Sequence, residues 1–225
     1  MRQTFDETTD PGFGARHMPL LRREMQARGL DGFLVPHEDE HQNEYLPAAN
    51  DRLAWISGFT GSAGAGVVMK DKAAVFADGR YTVQVKAQVD QAQFELRDFN
   101  ETAVARYLAE QAKGPVVGYD PRLHSPDALA RMQKTAKRAG VTLKPVDSNP
   151  LDAAWGAERP AQPQAPVVPH PIDYAGEDAA DKRARIGKAI EEAGADMALL
   201  TAPTSVAWLF NIRGGDVIRS PLPLG

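Results

Sequence analysis

The sequence predicts an α/β fold: a mixed sheet with helices on both faces, followed by the truncated start of a second, related domain. Short apolar runs of strand length come first in succession and then alternate with segments of helix length, the order that builds a helix-covered mixed sheet. The chain also repeats itself. Ala27-Arg28-Gly29-Leu30-Asp31-Gly32-Phe33-Leu34-Val35 is echoed by Glu192-Ala193-Gly194-Ala195-Asp196-Met197-Ala198-Leu199-Leu200, and Ala54-Trp55-Ile56 by Ala207-Trp208-Leu209, with order kept. Self-similarity at this spacing means two related folding units. Between the copies lies a stretch dense in proline.

A helix is expected over 16–28, where Leu20, Leu21 and Met25 share a face and Gly29 supplies the stop. Residues 32–35 form an apolar run of strand length ended by Pro36. Further strands are expected over 55–59, 65–69 and 73–77, separated by Gly58, Gly61, Gly64 and the Lys70-Asp71-Lys72 turn. A helix over 81–89 follows, then a strand over 94–97, a helix over 101–113, a strand over 116–119 and a helix from 125 to 138. Ser125 is placed to cap that last helix, and Pro126, with no N–H to lose, suits its first position. Residues 141–146 close a first domain spanning 1–155. Over 156–176, Pro160, Pro163, Pro166, Pro169 and Pro171 favour an extended, semi-rigid linker. The second domain, 177–225, opens with a helix over 177–193, a strand over 196–201 and a short helix over 204–210, and is read as incomplete.

Composition narrows the function classes. Formal net charge is −4, with no long run of like charges, so non-specific nucleic-acid binding gets little support. Cysteine is absent, which excludes disulfides, thiolate metal sites and cysteine nucleophiles within this sequence. The start, Met1-Arg2-Gln3-Thr4-Phe5-Asp6-Glu7, is polar and acidic, unlike a secretory signal. No apolar stretch reaches the roughly eighteen residues of a membrane span. The expectation is a soluble, cytoplasmic protein with no nucleic-acid or membrane partner.

Four local patterns are candidates for chemistry. His37-Glu38-Asp39-Glu40-His41 satisfies H-E-x-x-H, which on a helix puts two imidazoles on one face for zinc. It follows a strand and Pro36 directly, and Pro47 ends any helix soon after, so a solvated acidic connection competes with a zinc peptidase site at His37 and His41. Gly61-Ser62-Ala63-Gly64-Ala65-Gly66 lacks the Lys-Ser/Thr of a phosphate loop and leads into a strand, which makes it a glycine-rich turn without a phosphate site. Asp78-Gly79-Arg80-Tyr81 closes an apolar strand, where α/β folds present functional side chains. Arg80 is therefore either a fork for a carboxylate or carbonyl, or the partner of Asp78 in a structural turn. Trp55 and Trp208 occupy equivalent repeat positions and are expected to share a packing role. No Asp, Glu and His residues gather with the pattern of a two-metal hydrolytic site.

His41-Gln42-Asn43-Glu44-Tyr45-Leu46-Pro47, Trp55-Ile56-Ser57-Gly58-Phe59-Thr60-Gly61-Ser62-Ala63-Gly64, Ala77-Asp78-Gly79-Arg80-Tyr81 and Val206-Ala207-Trp208-Leu209-Phe210-Asn211-Ile212-Arg213-Gly214-Gly215-Asp216-Val217 occur in that order. Together they resemble the front half of the three-domain Xaa-Pro aminopeptidases, within the creatinase/prolidase group. The resemblance implies a creatinase-type N-terminal domain, a second related one, and a C-terminal metallopeptidase domain absent from this sequence. It further implies two divalent ions, typically manganese, held there by two aspartates, one histidine and two glutamates. The substrate implied is a peptide with proline in second position, and the assembly a homodimer. It implies that no residue of this chain is catalytic or binds metal, and that Arg80 helps hold substrate. A stand-alone, non-enzymatic binding or assembly module is the reading from another class. The aspartate, histidine and glutamate ligands encoded beyond Gly225 would separate the two.

Overall fold

The computed structural model describes residues 9–100, 102–111 and 114–224. The acidic start of the chain, and Glu101, Ala112 and Lys113 of the helix expected over 101–113, lie outside the described residues. Two compact units are present. One runs to Glu44 and resumes over Ala49–Pro160; the other takes Tyr45–Ala48 and the residues from Ala161 on.

The first unit contains, in order, α1 (Phe13–Ala27), β1 (Gly32–Pro36), α2 (Arg52–Ser57), β2 (Gly64–Met69), β3 (Ala73–Ala77), α3 (Thr82–Gln88), β4 (Glu95–Asp98), α4 (Ala103–Ala109), β5 (Val116–Tyr119), α5 (Pro126–Arg138), β6 (Thr142–Pro145) and α6 (Pro150–Trp155). Its six strands are ordered β4-β3-β2-β1-β5-β6. β1, β2 and β3 form an antiparallel meander, whereas β1–β5, β5–β6 and β3–β4 are parallel, so the sheet is mixed as expected. Side chains alternate between faces along a strand. Phe33 and Val35 join one core with Met18, Leu21 and Met25 of α1, Leu53 and Ile56 of α2, and Leu151 of α6. Leu34 joins the other, with Tyr107 and Leu108 of α4 and Ala136 of α5. Burying each such side chain contributes about 1.5–3 kcal/mol, which makes two-sided coverage of β1 the main anchor of the unit.

Of residues 55–59, expected as a strand, Trp55, Ile56 and Ser57 belong instead to α2 and Gly58 caps it. Its ends explain why. The Asp51 carboxylate accepts from the Ala54 N–H, and Gly58, at φ +86°, turns its own N–H back to the Ala54 carbonyl at 2.7 Å. Those two caps outweigh the aromatic and β-branched composition of Trp55-Ile56. α6 was not anticipated, although Asn149 caps it through the Leu151 N–H and Pro150 takes its first position. The cap at Ser125 and the start of α5 at Pro126 stand where expected.

The second unit holds β7 (Val168–Pro169), α7 (Ile172–Ala175), α8 (Ala179–Glu192), α9 (Pro203–Phe210) and β8 (Ile212–Arg213). β7 pairs antiparallel with β8, and α7 follows it, so the proline-rich stretch carries short elements of its own. No strand forms over 196–201. Among the described residues no neighbouring segment pairs with it, and Met197 and Leu199 lie exposed. Apolar burial is sparse here, and polar ties replace it. Lys182, almost fully buried on α8, donates to the Trp208 carbonyl and to Asn211 Oδ1 at 3.1 and 2.6 Å. The Asp216 carboxylate accepts the Ala165 and Leu224 N–H groups, each at 2.8 Å. Among the described residues no helix is long and apolar enough to cross a membrane.

Candidate functional site

Three of the four sequence strings converge at one end of the β2–β3 pair. β3 is buried along its whole length and ends at Asp78, whose Oδ1 accepts from the Arg80 N–H at 3.0 Å and from Arg80 Nε at 2.7 Å. This turn fixes the stem of Arg80 and leaves its side chain 63% exposed, with the guanidinium 5.4 Å from the Tyr81 ring centre. The terminal nitrogens of Arg80 make no hydrogen bond among the described residues. The Arg80 hydrogen bond and charge hold the Asp78 carboxyl below its ordinary value, and Asp78 in turn raises that of the guanidinium, so both remain charged near neutrality. A fixed stem with a free planar fork suits a carboxylate or a peptide carbonyl.

The glycine-rich turn supplies the wall behind that arginine. Ser62 Oγ donates to Glu44 Oε1 at 3.0 Å and meets the Tyr81 hydroxyl at 2.8 Å, while Phe59 packs edge-on against the Tyr81 ring. A Cβ on Gly61 would come within 2.3 Å of the Phe59 ring and 2.9 Å of Tyr81, so only glycine lets the rings close here. This packing, with no phosphate cradle, accounts for the run from Gly61 to Gly66.

The zinc alternative at His37 and His41 is corrected. Residues 37–41 form a loop, so no helix face presents the two imidazoles together. His37 Nε2 lies 3.0 Å from the Glu44 carbonyl, which can only accept, so that nitrogen carries the proton. Asp39 is fully buried as the anchor of the loop: it accepts the His41 and Asn43 N–H groups at 3.0 and 3.1 Å and both the Asn43 and Asn50 side-chain amides. Among the described residues no group of three or more His, Asp or Glu side chains is arranged to hold a metal ion.

A second polar assembly escaped sequence reasoning. Arg52, 2% exposed on α2, forms a fork with Asp152 of α6 at 2.8 and 3.0 Å and reaches Glu40 at 3.0 Å; Arg159 also pairs with Asp152, at 2.7 Å. It braces two helices and presents little to solvent. Trp55 is likewise structural, stacked between His17 and Trp155.

Two family models, both described as "Creatinase/Prolidase N-terminal domain", match residues 18–152 and 158–225. The chain belongs to the creatinase/prolidase N-terminal domain family. That both halves match one description agrees with the internal repeat. Among curated proteins, the creatinase/prolidase N-terminal chain is 38% identical over 211 residues to a protein of Ajellomyces dermatitidis named "Probable Xaa-Pro aminopeptidase P", covering 92% of this chain and 34% of that protein. An Aspergillus niger protein of the same name is 37% identical over 219 residues, covering 96% and 35%. Among solved structures, an X-prolyl aminopeptidase from Caenorhabditis elegans, described as a cytosolic enzyme with a di-nuclear active site, superimposes with a TM-score of 0.85 at 29% identity, covering 93% of this chain and 36% of that one. The chain spans about a third of the length of these relatives.

Proposed function

We propose that this chain is the N-terminal, non-catalytic part of a cytoplasmic Xaa-Pro aminopeptidase, a hydrolase that releases the first residue from peptides with proline in second position. The alignment of 92% of the chain to about a third of proteins bearing that name carries the reading. Residues 1–155 and 177–225 are then successive creatinase-type units joined by 156–176. In this reading two divalent ions, manganese, are held by polypeptide outside this chain, which supplies no cofactor ligand of its own. The full-length protein is proposed to act as a homodimer.

Within this reading Arg80 holds substrate. Its pairing with Asp78 through Nε supports that role, because it orients the guanidinium before substrate arrives and leaves the fork available. The full-length protein should cleave Xaa-Pro peptides and lose that activity on chelation; activity indifferent to both proline and metal would overturn the assignment. In that protein Arg80→Ala should lower kcat/KM about ten- to a hundredfold, the range for one charge-assisted contact, at an unchanged melting temperature. A depressed melting temperature with native kinetics would make Arg80 a brace of its turn only.

A further inference from the structure

Beside the sheet, in the first unit, lies a cavity of about 190 Å³ that the Arg80 site does not use. Its position follows from topology. β1 and β5 are adjacent and parallel, yet the helix after β1 packs on one face of the sheet and the helix after β5 on the other. A crevice must open at the carboxyl ends of strands whose connections diverge in this way, and α/β sheets bind ligands there.

The lining is two-sided. Leu34, Ala65, Val104, Leu123 and Met132 give an apolar floor. Glu38 and Arg131 line the same cavity with opposite charges, and neither makes an ion pair among the described residues. His124 lines it too, and its buried Nε2 has no hydrogen-bond partner. Burial holds that imidazole below its ordinary value, with Asp120 offsetting part of the effect, so it offers a neutral polar atom. The rim is held under strain: Gln42 sits at φ +56°, and its amide donates to the Asp39 and Leu123 carbonyls at 3.1 and 3.3 Å.

Size and charge select the occupant. Pockets for drug-sized ligands run to about 300–1,000 Å³, which makes this one too small for a nucleotide. A single arginine and a carboxylate on one lining favour a ligand bearing both signs over a phosphate. We propose that this cavity binds a free α-amino acid with an apolar side chain, its ammonium paired with Glu38 and its carboxylate with Arg131. The site is separate from the peptidase reading, and its test needs no catalytic activity.

Titration of the isotope-labelled 225-residue chain with L-leucine, followed by amide NMR, tests it. Saturable shifts should map to Gln42, Ser125 and Ala128. 4-Methylpentanoate, which lacks the ammonium, and isopentylamine, which lacks the carboxylate, should each bind at least about tenfold more weakly, a factor worth 1.4 kcal/mol. Glu38→Gln should weaken leucine about tenfold, and Ala128→Trp should fill the cavity and abolish the shifts while the spectrum stays dispersed. Absence of saturable shifts with the unaltered chain overturns the proposal. So does binding of either analogue as tight as leucine, or undiminished leucine binding to the Glu38→Gln protein, and both remain decisive if the tryptophan variant fails to fold.

Discussion

Residues 29–35 and 194–200 begin alike, each leaving a helix through a left-handed glycine, Gly29 at φ +64° and Gly194 at +73°. Past the glycine they part. Phe33, Leu34 and Val35 vanish into a strand with neighbours on both edges and helices on both faces. Their counterparts Ala198, Leu199 and Leu200 join no ladder, and Leu199 is 88% exposed. The tryptophans follow suit: Trp55 is buried between two rings, whereas Trp208 is 43% exposed beneath the cations of Lys182 and Arg185. The shared packing role expected for them does not hold in this chain. Related wording yields a strand only where other segments supply edges and cover, because an unpaired strand leaves its amides and carbonyls to water. The helix stop, by contrast, is local and appears in both copies.

Amide exchange gives the largest contrast. The central amides of β1 should exchange at least about a thousandfold more slowly than those of 196–201, a gap of about 4 kcal/mol in opening free energy. Equal protection would mean that 196–201 finds a ladder in solution and would erase the distinction between the copies. Next in size is Asp152→Ala. Removing the fork from a cation as buried as Arg52 costs about 3–5 kcal/mol, or roughly 6–20 °C of melting temperature for a unit of this size. The cost should fall on the first copy alone, since Lys182 and Asp216 hold the second; calorimetry resolving two transitions would reveal a shared loss. The smallest effect sharpens the likeness instead. Gly29→Ala and Gly194→Ala should each cost about 1 kcal/mol, because a Cβ at either meets no atom within 4 Å and the penalty is backbone strain only. Urea titration giving clearly unequal costs would show that the two stops are not equivalent.

Where structure followed from neighbours in sequence, it was legible. The strands expected over 32–35, 65–69 and 73–77, the Ser125 cap and the exposed Arg80 after a strand end all rest on spacing within a few residues. The strand expected over 55–59 failed because it rested on aromatic and β-branched composition and passed over two caps of α2, Asp51 and Gly58, readable in the same stretch. α6 had its signal in Asn149-Pro150 and went unread. The Arg52–Asp152 fork could not be read, since a hundred residues separate the partners and nothing local marks either. The cavity beside His124 was equally hidden, assembled from β1, α4 and α5.

The position of β1 in the sheet also sets a timetable. Its antiparallel neighbour β2 lies a short way along the chain, but its parallel neighbour β5 begins only at Val116. On a ribosome the meander β1–β2–β3 can zip while the other edge of β1 still waits, and non-local parallel pairings form slowly. Until β5 emerges, Gly32 and Phe33 present an open, apolar edge to any passing chain. The first unit is therefore most exposed to misassembly during synthesis, in the interval between translation of β3 and of β5. Slowing elongation over that interval should lower soluble yield without altering the stability of the molecules that finish.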